Sequence, residues 1–138
     1  MCEEFVLDAR LQADTFFLAD LSLCRVLLMN DRRYPWVILV PRRAGLTELH
    51  QLNETDTQQL WRESRLVSQI LISYFRGDSL NVAALGNVVA QLHVHHVLRS
   101  EGDPAWPGPV WGHSAAQSYV GDDRESTVKA LSDLLLKG

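Results

Sequence analysis

The chain has 138 residues, 46% of them apolar, which suits one domain with a substantial core. Its formal charge of −4 with histidine neutral argues against a general nucleic-acid binder, yet leaves room for one small phosphorylated ligand held by a local cluster of donors. No apolar run approaches the roughly 20 residues that a membrane span needs, and the chain opens on Glu3 and Glu4 rather than the basic residues of a secretory leader, so neither membrane nor signal segment is expected. The two cysteines, Cys2 and Cys24, sit in no CxxC or metal-ligand spacing, and two such thiols suit a reducing cytoplasm.

In chain order, Asp8 opens a helical turn over residues 7–13, and Phe16-Phe17-Leu18 suggests a short strand. Leu23 to Asn30 reads as a strand, with Cys24 a core residue inside it. Asp31-Arg32-Arg33-Tyr34-Pro35 reads as a turn, and Trp36 to Val40 as a second strand, apolar on both faces and closed by Pro41. A long helix is expected from about 54 to 75. Asn53 caps it, Glu54 and Asp56 suit its positive end, and Gly77 terminates it. Leu60, Val67, Leu71 and Tyr74 give its apolar stripe, widened by Trp61 and Ile70. Leu80 to Leu85 is a strand candidate broken by Gly86-Asn87, and Ala90 to Leu98 is another. Pro and Gly gather at 102–112 in one ordered irregular stretch, and a final helix is expected over about 123–136. Strands, helix, strands, helix imply an α+β domain, residues 1–138, with a mostly antiparallel sheet of about five strands.

The segment Gln91-Leu92-His93-Val94-His95-His96-Val97-Leu98-Arg99 carries the chemistry. On a strand, Gln91, His93, His95, Val97 and Arg99 share one face, while His96 points with Leu92, Val94 and Leu98 to the other. Two imidazoles two residues apart lie roughly 7 Å apart along a strand, near enough to address one phosphoryl group. A neutral imidazole nitrogen attacks phosphorus near pH 7, and a second imidazole can donate to the non-bridging oxygens. Metal ligation and a purely structural polar cluster are the other readings of His93 and His95. For His96, a core role bonded to a backbone carbonyl is expected.

At these residues the chain resembles the histidine-triad family, whose signature is His-φ-His-φ-His-φ-φ with φ apolar. Here Gln91 stands at the first histidine, His93 at the central one and His95 at the third. Arg25 to Asn30, Trp36 to Arg42, the approach Leu46 to Leu52, Asn81-Val82-Ala83 with Gly86-Asn87, and Asp103-Pro104-Ala105-Trp106-Pro107 extend the resemblance over most of the chain. The resemblance implies a nucleotide hydrolase without a cofactor, acting on a nucleoside phosphoramidate or dinucleoside polyphosphate. His93 is the implied nucleophile, and His95, Asn87 and backbone amides near Gly86 hold the oxyanion. Asn30 is the implied ribose or phosphate contact. Arg99 is a second phosphate contact or a solvated strand-end charge. Leu18, Leu28 and Trp36 are candidates for the base pocket. A two-fold homodimer is also implied.

Three departures stand out. Gln91 keeps an orienting contact but cannot titrate near pH 7. His96 replaces an apolar residue. Val88 stands where many members carry a Ser or Thr that touches the phosphate or leaving group. Loss of the first histidine motivates the alternative of a non-catalytic nucleotide sensor. A metal-binding protein using His93 and His95, with His96, His113 or Asp103, is the other alternative. The aromatic stretch Trp106 to Trp111 is expected to brace its own fold or to clamp a partner's site.

Overall fold

The computed structural model describes residues 4–138; Cys2 and Glu3, on which two of the expectations above rest, lie outside the described residues. A short helix, α1 (Ala9–Asp14), runs into β1 (Thr15–Asp20), followed by β2 (Cys24–Met29) and β3 (Trp36–Pro41). The long helix α2 (Glu54–Phe75) comes next, then β4 (Ser79–Ala84), β5 (Val94–Arg99) and the terminal helix α3 (Asp123–Lys137). The strands form one antiparallel sheet in the order β1-β2-β3-β5-β4. The α+β class and five-stranded sheet expected from the pattern are both present. No helix among the described residues is long and apolar enough to cross a membrane.

Every residue of β3 and β5 is buried, because these central strands are covered on both faces. On one face Val26, Leu28, Val37, Leu39, Val94 and Leu98 pack under Leu60, Val67 and Leu71 of α2 and Leu131 and Leu135 of α3. On the other, Leu27, Trp36, Ile38, Val40 and Val97 pack beneath Leu11 of α1 and Ala105 and Val110 of the irregular stretch. Tyr74, expected in the stripe of α2, and Trp61, expected to widen it, are instead about half exposed, while Ile70 packs partly buried against the core. Trp61 lies off the arc centred on Leu60, Val67 and Leu71, whereas Tyr74 lies on that arc but in the last turn of the helix.

The caps follow the sequence with one exception. Asn53 Oδ1 accepts from the Asp56 N–H at 2.8 Å, and Asp8 Oδ1 accepts from the Arg10 N–H at 2.8 Å. The end of α2, however, is not turned by Gly77: Arg76 takes the left-handed conformation at φ 62°. Gly77 is required for a different reason. A Cβ there would stand 2.7 Å from the Leu98 side chain of β5.

One buried carboxylate ties the layers together. Glu63 of α2 is buried and accepts the Leu23 and Cys24 N–H groups at 2.9 and 2.8 Å, satisfying the backbone at the start of β2. Burial, reinforced by Glu63, pushes the Cys24 thiol far above its ordinary range, so it is an inert core group. Glu63→Ala leaves two buried N–H groups without an acceptor. It is expected to lower stability by about 1–3 kcal/mol, read as a lower urea midpoint with unchanged slope; an unchanged midpoint would show the contact to be dispensable.

Candidate functional site

The face of the sheet opposite α2 and α3 opens into a cleft of about 350 Å³. Its floor is His93, His95 and Ile38; its walls are Leu11, Asp14 and Thr15 on one side and Leu85, Asn87, Val88 and Val89 on the other, with Met29 and Trp111 at the ends. The lining is mostly apolar. Asp14 is the one carboxylate in it, and no Lys or Arg contributes.

The histidine strand begins later than its sequence suggests. Ladder pairing starts at Val94, and residues 90–93 are an irregular approach to β5. His93 therefore leaves the strict strand spacing. Its ring centroid stands 4.9 Å from that of His95 in an edge-on arrangement, closer than the roughly 7 Å of a regular strand. His95 stays on the ladder, paired with Ile38 on one side and Ala83 on the other.

Each ring has a fixed tautomer, and a donor or acceptor of one kind only fixes it. Nδ1 of His93 lies 2.6 Å from the Gln91 carbonyl oxygen. A carbonyl only accepts, so Nδ1 carries the proton and Nε2 keeps its lone pair. Nδ1 of His95 lies 3.0 Å from Nε1 of Trp36. An indole N–H only donates, so the proton of a neutral His95 sits on Nε2. The two neighbouring rings thus present opposite functions: a basic nitrogen on His93 and an N–H donor on His95. Trp36 and Trp111 pack around the His95 ring at centroid distances of 5.7 and 5.4 Å, walling it off from water.

Several expectations are corrected by these positions. The Gln91 side chain does not face the cleft. Its amide bonds the N-terminal segment, and only its backbone carbonyl meets His93. Asn30 binds the Ser118 hydroxyl and the Tyr119 N–H, tying down the segment before α3 rather than lining the cleft. Arg99 is neither a phosphate contact nor a solvated charge. Its guanidinium is buried, forks onto Asp103 at 2.8 and 2.9 Å, donates to Asn81 and lies between the Tyr34 and Trp106 rings. Leu18 and Leu28 face the helices, and Trp36 supports His95 from behind. Gly86 is not a lining residue, although its neighbours Leu85 and Asn87 both are.

His96 takes the core role expected of it: Nδ1 donates to the Val94 carbonyl at 3.1 Å, and Nε2 accepts from the Ser64 hydroxyl of α2 at 2.7 Å. The metal alternative loses its additional ligands. His96 is on the wrong face, Asp103 is held by Arg99, and His113 contacts Ser114. Among the described residues no group of three or more His, Cys, Asp or Glu side chains is arranged to hold a metal ion. The stretch from Trp106 to Trp111 braces its own chain, through Arg99 at one end and His95 at the other.

Sequence reasoning missed Trp111, Leu11, Asp14 and Thr15 as cleft residues. The Trp36–His95 bond had a signal that went unused: a buried indole N–H needs an acceptor, and Trp36 lies two positions from the residue that faces His95 on the neighbouring strand.

A family model described as the HIT domain matches residues 10–102. A solved histidine triad protein from Marinobacter aquaeolei VT8 is 48% identical, over 98% of each chain, with a TM-score of 0.94. One from Bradyrhizobium japonicum is 41% identical over 96% of this chain and 99% of its own, with a TM-score of 0.93. One from Sinorhizobium meliloti 1021 is 42% identical over 96% of each, with a TM-score of 0.87. No curated protein matches the chain at the same stringency.

Burial, helped by repulsion from His93 and His96, pulls the His95 imidazole down from 6.5 to about 3. Burial likewise pulls His96 down to about 4, although backbone carbonyls oppose it. Both rings are neutral at pH 7. The unfolded chain binds protons below pH 6.5 that the fold refuses, so the stability they confer is complete above that pH and is lost as pH falls toward 4 and then 3. Each contributes a slope of up to about 1.4 kcal/mol per pH unit. Asp103, held down to about 2 by Arg99, adds its own loss only below its unfolded value of 3.8. Urea unfolding between pH 7.5 and 4.5 is expected to show this decline, with about half the slope in His96→Gln. A flat profile in the wild type would remove the assignment of two buried neutral histidines.

Proposed function

The chain belongs to the histidine-triad family, and from that premise we propose that it is a nucleotide hydrolase working through a nucleotidyl-histidine intermediate. One observation carries the reading: the Gln91 carbonyl 2.6 Å from His93 Nδ1 leaves Nε2 as an unprotonated nucleophile on the cleft floor. In the first step Nε2 forms a bond to the α-phosphorus of a nucleoside phosphoramidate or dinucleoside polyphosphate. The bond from phosphorus to the leaving nitrogen or oxygen breaks, and the leaving group takes its electron pair. Water then attacks phosphorus, the bond to Nε2 breaks, and a nucleoside monophosphate is released with His93 restored.

Charge developing on the non-bridging oxygens meets the Nε2–H of His95, whose proton Trp36 holds in place. The Asn87 amide, at the edge of the same cleft, is the second donor in this reading. Leu11, Met29, Leu85 and Val89 form an apolar wall suited to a base. The homodimer belongs to the same proposal. It is supported by the free edge of β4, with Val82 43% exposed, and by exposed Trp61 and Ile72, which share one stripe of α2.

The test is release of AMP from adenosine 5′-phosphoramidate and from diadenosine polyphosphates by the wild type and by His93→Ala. The expected result is turnover of at least one substrate, reduced roughly 10³-fold or more in the variant, with an adenylylated wild-type chain trapped by denaturation at alkaline pH, where the bond from phosphorus to the imidazole nitrogen survives. Binding of AMP with no turnover by the wild type would overturn the hydrolase reading in favour of a nucleotide sensor.

A further inference from the structure

Gln91 is bonded at both ends, and the two ends serve different parts of the cleft. Its backbone carbonyl accepts from His93 Nδ1 at 2.6 Å. Its side-chain oxygen accepts from the Asp8 N–H at 2.8 Å, and its side-chain nitrogen donates to the Val6 carbonyl at 2.9 Å. The amide therefore mimics one rung of a strand, joining the chain two residues before His93 to a segment more than eighty positions away in sequence. That segment is the lead-in to α1. Asp8, bonded by Gln91 through its N–H, also caps α1 through its side chain, and Leu11 and Asp14 of α1 form a wall of the cleft.

We propose that Gln91 is a positioning residue: its side-chain amide clasps Val6 and Asp8, and this clasp keeps its own carbonyl aligned on His93 while holding the α1 wall in register with the cleft floor. The proposal rests on the hydrolase reading for its kinetic consequence but not for its structural one. Residues 90–93 lie outside the ladder, so sheet pairing does not hold the Gln91 peptide in place. Leu92 is pinned to Leu46 through its N–H at 2.9 Å, which anchors the far side of the same peptide unit. The side-chain clasp supplies the remaining constraint on its rotation. A peptide free to rotate turns its carbonyl from His93, and the imidazole then loses its preference for the proton on Nδ1. A ring in the other tautomer offers no lone pair on Nε2 and cannot attack.

Gln91→Met tests this, because methionine keeps the length of the side chain and removes both of its hydrogen bonds. Two readouts are taken on the full chain: the ¹⁵N shifts of the His93 ring at pH 7.5, and kcat and KM for adenosine 5′-phosphoramidate. In the wild type the His93 shifts are expected to report the proton on Nδ1. In the variant they are expected to move toward a tautomer mixture, with kcat lowered roughly 10- to 100-fold and thermal unfolding still cooperative. Gln91→Glu retains the acceptor for the Asp8 N–H and turns the Val6 contact repulsive; it is expected to fall between the two and carries the same test if the methionine variant does not fold. Unchanged His93 ring shifts in a folded variant overturn the proposal, whatever the activity. Altered shifts in a protein whose wild type hydrolyses nothing uphold the clasp and overturn the hydrolase reading instead.

Discussion

The structure depends on β5 being a central strand with both faces covered. Its pairing with β3 and β4 fixes the side on which each of its residues emerges, and a slip of one residue would exchange His95 with His96. Each histidine is tolerable on its own side alone. His96 finds a hydroxyl and a carbonyl among the residues under α2, while His95 finds an indole N–H on the opposite face. Exchanged, both would be buried polar groups without partners, each costing about 1–3 kcal/mol. The histidine pattern therefore specifies the register as well as the chemistry.

A second constraint concerns charge. The sheet face that carries the cleft buries one arginine, Arg99, and the fold neutralises it completely with Asp103 while flanking it with two aromatic rings. Asp103 in turn accepts the N–H groups of Ser100, Ala105 and Trp106, so the same carboxylate that pairs the arginine folds the start of the irregular stretch. Trp111 at the far end of that stretch packs against His95 and Trp36. The ion pair thus acts on the site through the backbone it organises. Within the cleft the electrostatic means are neutral donors rather than cations, which hold charge well only where water is excluded.

Much of this was legible in the sequence, because it rests on local rules. The caps Asp8 and Asn53, the turn at Asp31 to Pro35, the limits of α2 and the opposite faces of His95 and His96 follow from periodicity and from the hydrogen-bonding habits of single residues. What was not legible depended on contacts between distant segments. Asn30 at a strand end has the chemistry of a ligand contact, and only the path of residues 117–119 shows that its amide is already engaged. Arg99 reads as an available cation until Asp103 and Asn81 close on it. Gly77 reads as a helix terminator, whereas the approach of Leu98 is what excludes a side chain there. The late start of β5 escaped notice because the alternation of residues 90–98 suits a strand throughout, and alternation does not report where ladder partners run out.

The replacement of the first triad histidine by Gln91 is intelligible once the bonds of that residue are separated. The contact with the neighbouring ring comes from the peptide carbonyl, which every amino acid supplies. Nothing in the tautomer control of His93 asks for a titratable side chain at position 91. It asks that the peptide be held still, and the approach to β5 lacks the ladder bonds that would do so. A carboxamide fits this demand better than an imidazole, since it can accept from one backbone group and donate to another side by side, as strands do. An imidazole offers its donor and acceptor in divergent directions and changes charge near neutral pH. At a position whose side chain points away from the cleft, the carboxamide supplies a neutral link to the N-terminal segment. His93 and His95 remain as the two ionisable rings on the cleft floor.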